Sequence, residues 1–154
     1  MRQRWLPVGV IAGVLIVTNV IARWVVRLFA ADNDKRTTEI GLVSLGVVAV
    51  VMAVAAYWWA RRHPMPRVVA DLAVAAIAGG LLSVLLGPPL AGSAPFRDGI
   101  DFFVGQVWHY LAVAAGGTVF GLLLVMALGL DHKSQSWKRY AEQMQAKPRR
   151  VVRR

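Results

Sequence analysis

The sequence predicts an all-α polytopic membrane protein, a four-transmembrane-helix bundle with a short amphipathic and basic C-terminal cytoplasmic segment. Three observations carry that expectation. The 154 residues are 57% hydrophobic, with a mean hydropathy of +0.53, and only 17% are charged, whereas soluble domains hold about 25% charged residues. Four apolar runs are each long enough to cross a hydrocarbon core of roughly 30 Å, which needs about 20 helical residues. Finally, Tyr57-Trp58-Trp59-Ala60-Arg61-Arg62-His63-Pro64-Met65-Pro66-Arg67 joins an aromatic collar to a basic, proline-broken loop. Aromatic rings of mixed polarity favour the headgroup layer and arginine accumulates in cytoplasmic loops, so this stretch reads as a tight inner turn between two helical hairpins. The expected spans are 5–30, 40–60, 68–87 and 103–130 within a transmembrane domain at 1–132, followed by a basic cytoplasmic tail at 133–154.

The first span follows Met1-Arg2-Gln3-Arg4 and is uncharged from Trp5 to Ala22. A signal peptide would share that basic start, but its apolar core is shorter and ends at a small-residue cleavage site that is missing here. Gly9 and Gly13 form a G-x-x-x-G step suited to close helix contact, read first as packing inside the bundle and second as a dimer face. Asn19, Arg23 and Arg27 recur every four residues and share one face near the outer end. They either line a pocket or, in the favoured reading, the two arginines snorkel to outer headgroups beside Trp24.

The loop from Ala31 to Glu39 is polar and nearly balanced in charge. Asp32 or Asn33 is placed to end the first helix, and Thr37 or Thr38 to cap the second. Asp32, Asp34 and Glu39 lack the glycine and distal glutamate of a calcium loop, so no metal is expected. The second span, Ile40 to Ala60, is apolar all round, with Gly41, Ser44, Gly46, Ala49 and Ala53 as close-contact positions.

The third span runs from Val68 and is expected to stop at Gly87-Pro88-Pro89. Its one charge is Asp71, four residues beyond Arg67, and two readings stand beside each other. Asp71 is an anion in the first turn paired with Arg67, or a proton-relay or cation-coordinating group at an inner vestibule. Ala75, Ala76, Ala78, Gly79 and Gly80 make a waist almost free of side chains, either a tight crossing or a narrow cavity.

The Gly87 to Asp101 loop, with its prolines and glycines, is expected to cling to the bundle surface. The fourth segment is uncharged from Phe102 to Leu130, longer than the hydrocarbon requires. Counting from one end places His109 in an aromatic belt with Trp108 and Tyr110; counting from the other buries it. A buried His109 would suit proton transfer, haem ligation or a hydrogen bond to a quinone. His63 and His132 lie at the far side, so a bis-histidine haem is disfavoured and no cofactor is expected. Ala112/Gly116 and Gly117/Gly121 form a small-residue ridge that predicts packing at the bundle centre.

From Lys133 to Ala146 the tail has helical character until Pro148, with Trp137, Tyr140, Ala141 and Met144 on one face, the pattern of a helix lying on the inner leaflet. Lys138, Arg139, Lys147, Arg149, Arg150, Arg153 and Arg154 are the expected anionic-lipid contacts, each worth about 1 kcal/mol near a charged leaflet. A protein partner or nucleic acid competes for the same charge, nucleic acid being disfavoured because no folded binding module accompanies it.

Charge tests the topology. On the inner side 13 basic residues face Asp71, Asp131 and Glu142, a net +10; on the outer side five basic residues balance five acidic ones. The whole excess thus falls on the cytoplasmic side, with both termini there.

No cysteine is present, which excludes disulfides, thiolate metal ligands and thiol redox chemistry. No catalytic Ser/His/Asp grouping, nucleotide loop, HExxH helix or intramembrane carboxylate pair stands out, so catalysis is not expected. An enzyme would have to draw on outer-rim groups such as Asp98, Asp101 and His109. The richness in alanine, valine, glycine and arginine points to a GC-rich bacterial genome, hence an inner membrane. Two functions follow as expectations. The favoured one is an accessory or scaffold subunit bound to a membrane-protein partner or to further copies of itself. The alternative is a small transporter or lipid- or quinone-like ligand-binding protein using an outer-leaflet pocket around His109, Arg23, Arg27 and Asp101.

Overall fold

A computed structural model describes residues 2–29, 34–90 and 99–146. Its helices are α1 (Arg2–Phe29), α2 (Asp34–Ala60), α3 (Met65–Leu90), α4 (Ile100–Ala127) and a short α5 (His132–Ala146). Among the described residues all regular structure is helical, and four helices are long and apolar enough to cross a membrane. Asp32, Asn33, Asp98, Lys147, Arg149, Arg150, Arg153 and Arg154, to which roles were assigned above, lie outside the described residues.

Two helix ends differ from expectation. α2 starts at Asp34, so Thr37 and Thr38 lie inside it rather than at its N-cap; Lys35, Arg36 and Glu39 are good helix formers and let the helix outrun its apolar segment. α3 continues through Pro88 and Pro89 to Leu90. Proline already has a helical φ, but each ring removes a backbone donor and crowds the carbonyl four residues back, a cost confined here to the last turn.

The two hairpins interlock. α1 lies chiefly on α3 and α2 on α4, while the sequence-adjacent pairs touch less. Leu15 of α1 meets Gly79 of α3, and Arg23 meets Gly87; Ala49 and Ala53 of α2 meet Gly117 and Gly121 of α4. Partner numbers rise together in both cases, so both tight pairs are parallel. The α1 N-terminus, the Arg61–Pro64 turn and the α4–α5 junction therefore share one end of the bundle, here called the basic end.

Small residues set these distances. A Cβ added at Gly117 would stand 2.8 Å from the Ala49 Cα, and one at Gly121 2.9 Å from the Ala53 Cα, with both alanine carbonyl oxygens nearer still. Backbone therefore touches backbone at two points about one turn apart. The waist of α3 is a tight crossing: Gly79 receives Leu15 from one side, and Gly80 receives the Tyr110 ring from the other.

Two expectations about small residues are corrected. Gly9 and Gly13 have open space where a Cβ would be, so that step does not serve packing within the chain. Ala112 and Gly116 are exposed, leaving the Gly117/Gly121 half of the ridge in contact. Helical rotation explains this, since residues 116 and 117 point about 100° apart.

Leu15, Val48, Met52, Val68, Leu72 and Val125 are fully buried, whereas Leu42, Val54, Ile77, Phe120, Trp58 and Trp108 face outward. An apolar exterior of this extent is what a lipid-solvated bundle presents.

The α4–α5 junction is well specified. Gly129, at φ +60°, donates to the Met126 carbonyl at 2.9 Å, and Leu130 donates to that of Val125 at 3.0 Å, the paired bonds of a Schellman stop. Asp131 then caps α5, accepting from the Ser134 backbone N–H at 3.2 Å, while the Gln135 amide donates back to the Leu130 carbonyl at 2.6 Å. Asp131→Ala is expected to weaken α5 by about 1 kcal/mol. Hydrogen exchange at the Ser134 and Gln135 amides would register the change while α4 stays protected.

Candidate functional site

At the end opposite the basic one, α1, α2 and α4 splay around a cavity of about 410 Å³, and Asn19, Arg23, Arg27, Gln106, His109 and Tyr110 line it together with Thr37 and Ser44. Its apolar walls come from Ala22, Val26, Ile40, Leu45 and Val84. The volume is within the roughly 300–1,000 Å³ typical of ligand pockets. No carboxylate belongs to the lining, so its formal charge is positive.

Arg23 is the best-held polar group there. Its Nε donates to Asn19 Oδ1 at 2.9 Å, one turn back on α1, and its guanidinium also donates to Gln106 Oε1 of α4 at 3.4 Å. The side chain crosses α3 at Gly87, where a Cβ would lie 2.5 Å from Nε and 3.0 Å from Cδ. Arg23 is thus turned towards α3 and α4, whereas Arg27, one turn further on, is exposed.

His109 is exposed at the cavity edge, and its Nδ1–H donates to the Gly105 carbonyl at 2.7 Å. A carbonyl only accepts, so the neutral ring keeps Nε2 as an acceptor for a ligand donor, and protonation makes it a second donor. Tyr110, which is 2% exposed, contributes a hydroxyl with Ser83 beside it and no well-aligned hydrogen bond among the described residues. Thr118, deeper in α4, returns its hydroxyl to the Ala114 carbonyl at 2.8 Å and stays out of the site.

Two predicted residues fall elsewhere. Asp101 is exposed in the first turn of α4, outside the lining, where an anion suits the positive end of the helix. Asp71 is 2% exposed and lies in the second turn of α3, not the first, because that helix starts at Met65. Its carboxylate pairs with Arg67 at 3.6 Å. His63 and His132 belong to the basic end, far in the fold from His109.

Sequence reasoning missed Gln106 and Gly87. Gln106, three residues before His109, shares its helical face, and that spacing was the available signal. Gly87 looked like a helix terminator because two prolines follow it; its task is to leave room for Arg23.

Fold and cavity define a class: a small helical protein with four membrane-length apolar helices and an arginine-lined cavity near one end. No family model, curated protein or solved structure matches the chain.

Proposed function

We propose that the chain is a small integral protein of a bacterial inner membrane, with both termini cytoplasmic, that binds or moves an amphiphile with an anionic or carbonyl head, lipid-like or quinone-like. The supporting observation is the cavity in which Arg23, fixed by Asn19 and Gln106, meets Arg27 and His109 between apolar walls. A guanidinium held in place presents its remaining donors to a carboxylate, phosphate or carbonyl without first being ordered. The apolar walls take the tail. The test is purification in native lipid with mass spectrometry of what accompanies the chain, followed by binding of palmitate and a short-chain quinone. Retention of such an amphiphile, lost on Arg23→Met, supports the reading; an empty cavity that takes up neither probe removes it.

A second reading, an accessory subunit of a larger assembly, draws on Gly9 and Gly13. Their outward face has room for another helix backbone. Single cysteines at these positions, in a chain with no native cysteine, would crosslink to a partner or a second copy; their failure to do so in native membranes would count against it.

A further inference from the structure

We infer that the basic end holds an anionic phospholipid, with one acyl chain in a groove between α2 and α4 and its phosphate among Arg61, Arg62 and Arg139. This site lies at the opposite end from the arginine cavity. It rests on the bundle lying in a bilayer and not on what that cavity binds.

The groove follows from the close α2–α4 crossing. Where Gly117 and Gly121 let the backbones touch, the larger side chains to either side stand away, leaving an apolar trough of about 570 Å³ flanked by Val54 and Phe120 and running to Trp58 and Leu128. Along α4 it extends from Gly116 to Leu128, about 18 Å of helix rise. One leaflet's share of the hydrocarbon core is about 15 Å. The trough therefore accommodates a single chain from one leaflet.

Trp58 also lines a second cavity, of about 440 Å³, together with Arg61, Arg62, His132, Gln135 and Arg139. The Arg61 guanidinium lies 5.6 Å from the centre of the Tyr57 ring, and that of Arg62 5.4 Å from the centre of the Trp58 ring. Both rings also line the trough. Stacking holds the cations over its mouth while their in-plane N–H donors stay available to an oxyanion. Arg139 arrives from above, because the Gly129 stop and the Asp131 cap set the direction of α5. Among the described residues no carboxylate lines either cavity or pairs with these three arginines.

Charge complementarity selects the occupant. Three arginines without a counterion among the described residues call for a phosphodiester, and an apolar trough that shares Trp58 with them calls for that phosphodiester to carry a hydrocarbon chain. A free phosphate would use the mouth and leave the trough empty. A phosphatidylcholine would fill the trough but bring its own cation to the arginines.

The experiment is native mass spectrometry of the full chain released from bilayers containing phosphatidylglycerol or phosphatidylcholine of the same acyl composition, with inorganic phosphate as a separate titration. The expected result is a one-to-one adduct with phosphatidylglycerol that outlasts any phosphatidylcholine adduct. An Arg61→Gln, Arg62→Gln, Arg139→Gln triple variant should weaken it about a hundredfold, at roughly fivefold per cation. The basic residues from 147 onward are unchanged in that variant, so their general attraction for anionic lipid cancels. Gly116→Leu tests the trough independently. A Cβ at Gly116, which lines the trough, meets nothing within 4 Å, so the first carbon of the new side chain is accommodated; the leucine should displace the lipid and leave inorganic phosphate binding unaltered. Thermal melting of each variant confirms that the bundle stays folded. Equal retention of the two lipids, retention of neither, or a Gly116→Leu chain that keeps its phosphatidylglycerol would each overturn the proposal.

Discussion

Gly121→Leu is expected to separate α2 from α4 and to leave little folded protein in detergent. Two effects oppose each other. Helix propensity favours replacing glycine, by about 1 kcal/mol for alanine in water. Against this, a Cβ at position 121 would stand 2.9 Å from both the Ala53 Cα and its carbonyl carbon. Those atoms are backbone and cannot rotate away, so the helices must move apart along the whole crossing. Overpacking of ordinary cores costs about 1–3 kcal/mol, and a backbone collision belongs at or above the top of that range. Gly117→Leu should behave alike. Gly116→Ala is the matched control, since open space awaits its methyl group, and its melting temperature should equal or slightly exceed that of the unchanged chain. If Gly121→Ala melted with Gly116→Ala, the backbone contact would not exist.

The second large effect is expected at Arg23. Arg23→Met keeps the length and apolar stem of the side chain but removes the cation that Asn19 and Gln106 position. Hydrogen bonds to charged groups are worth about 1.5–3 kcal/mol, so palmitate binding should weaken roughly 10- to 150-fold. Gly87→Ala separates position from charge. Its methyl group would meet the Arg23 Nε and push the guanidinium off its two acceptors, so binding should fall although every polar group remains. Arg27→Gln, at the exposed edge of the cavity, should have a smaller effect. Equilibrium titration in nanodiscs decides among these outcomes, and unchanged affinity in both Arg23→Met and Gly87→Ala would refute the cavity's role.

Much of this architecture was readable before any coordinates. Each of the four expected spans falls on a helix, with three of them ending within about three residues of it and the second starting six residues after α2 does, because long uncharged runs leave few alternatives. The tail helix was expected from Lys133 and starts at His132. Helix pairing was not readable. α2 and α4 are apolar on every face, so nothing in their pattern says which side meets a neighbour. Gly116 and Gly117 looked equivalent, yet one rotation step puts the first outside and the second against Ala49. At the cavity, Asn19, Arg23 and Arg27 announced their shared face through their spacing, and His109 stood out as the lone imidazole of its span. Gln106 and Gly87 were overlooked because an uncharged amide and a glycine before prolines have ordinary explanations. Asp101 was drawn in by its charge, although its place at a helix start accounts for it.

The crosswise pairing of the hairpins has a consequence for biogenesis. Helices leave the ribosome in order, and the surfaces on which α1 and α2 rest belong to the half of the chain made last. Until that half arrives, Leu15 and the Ala49–Ala53 strip lack the glycines of α3 and α4 against which they rest. The bundle can therefore close only once its second half exists, and a chain truncated after α2 is expected to lack the principal packing surface of both its helices.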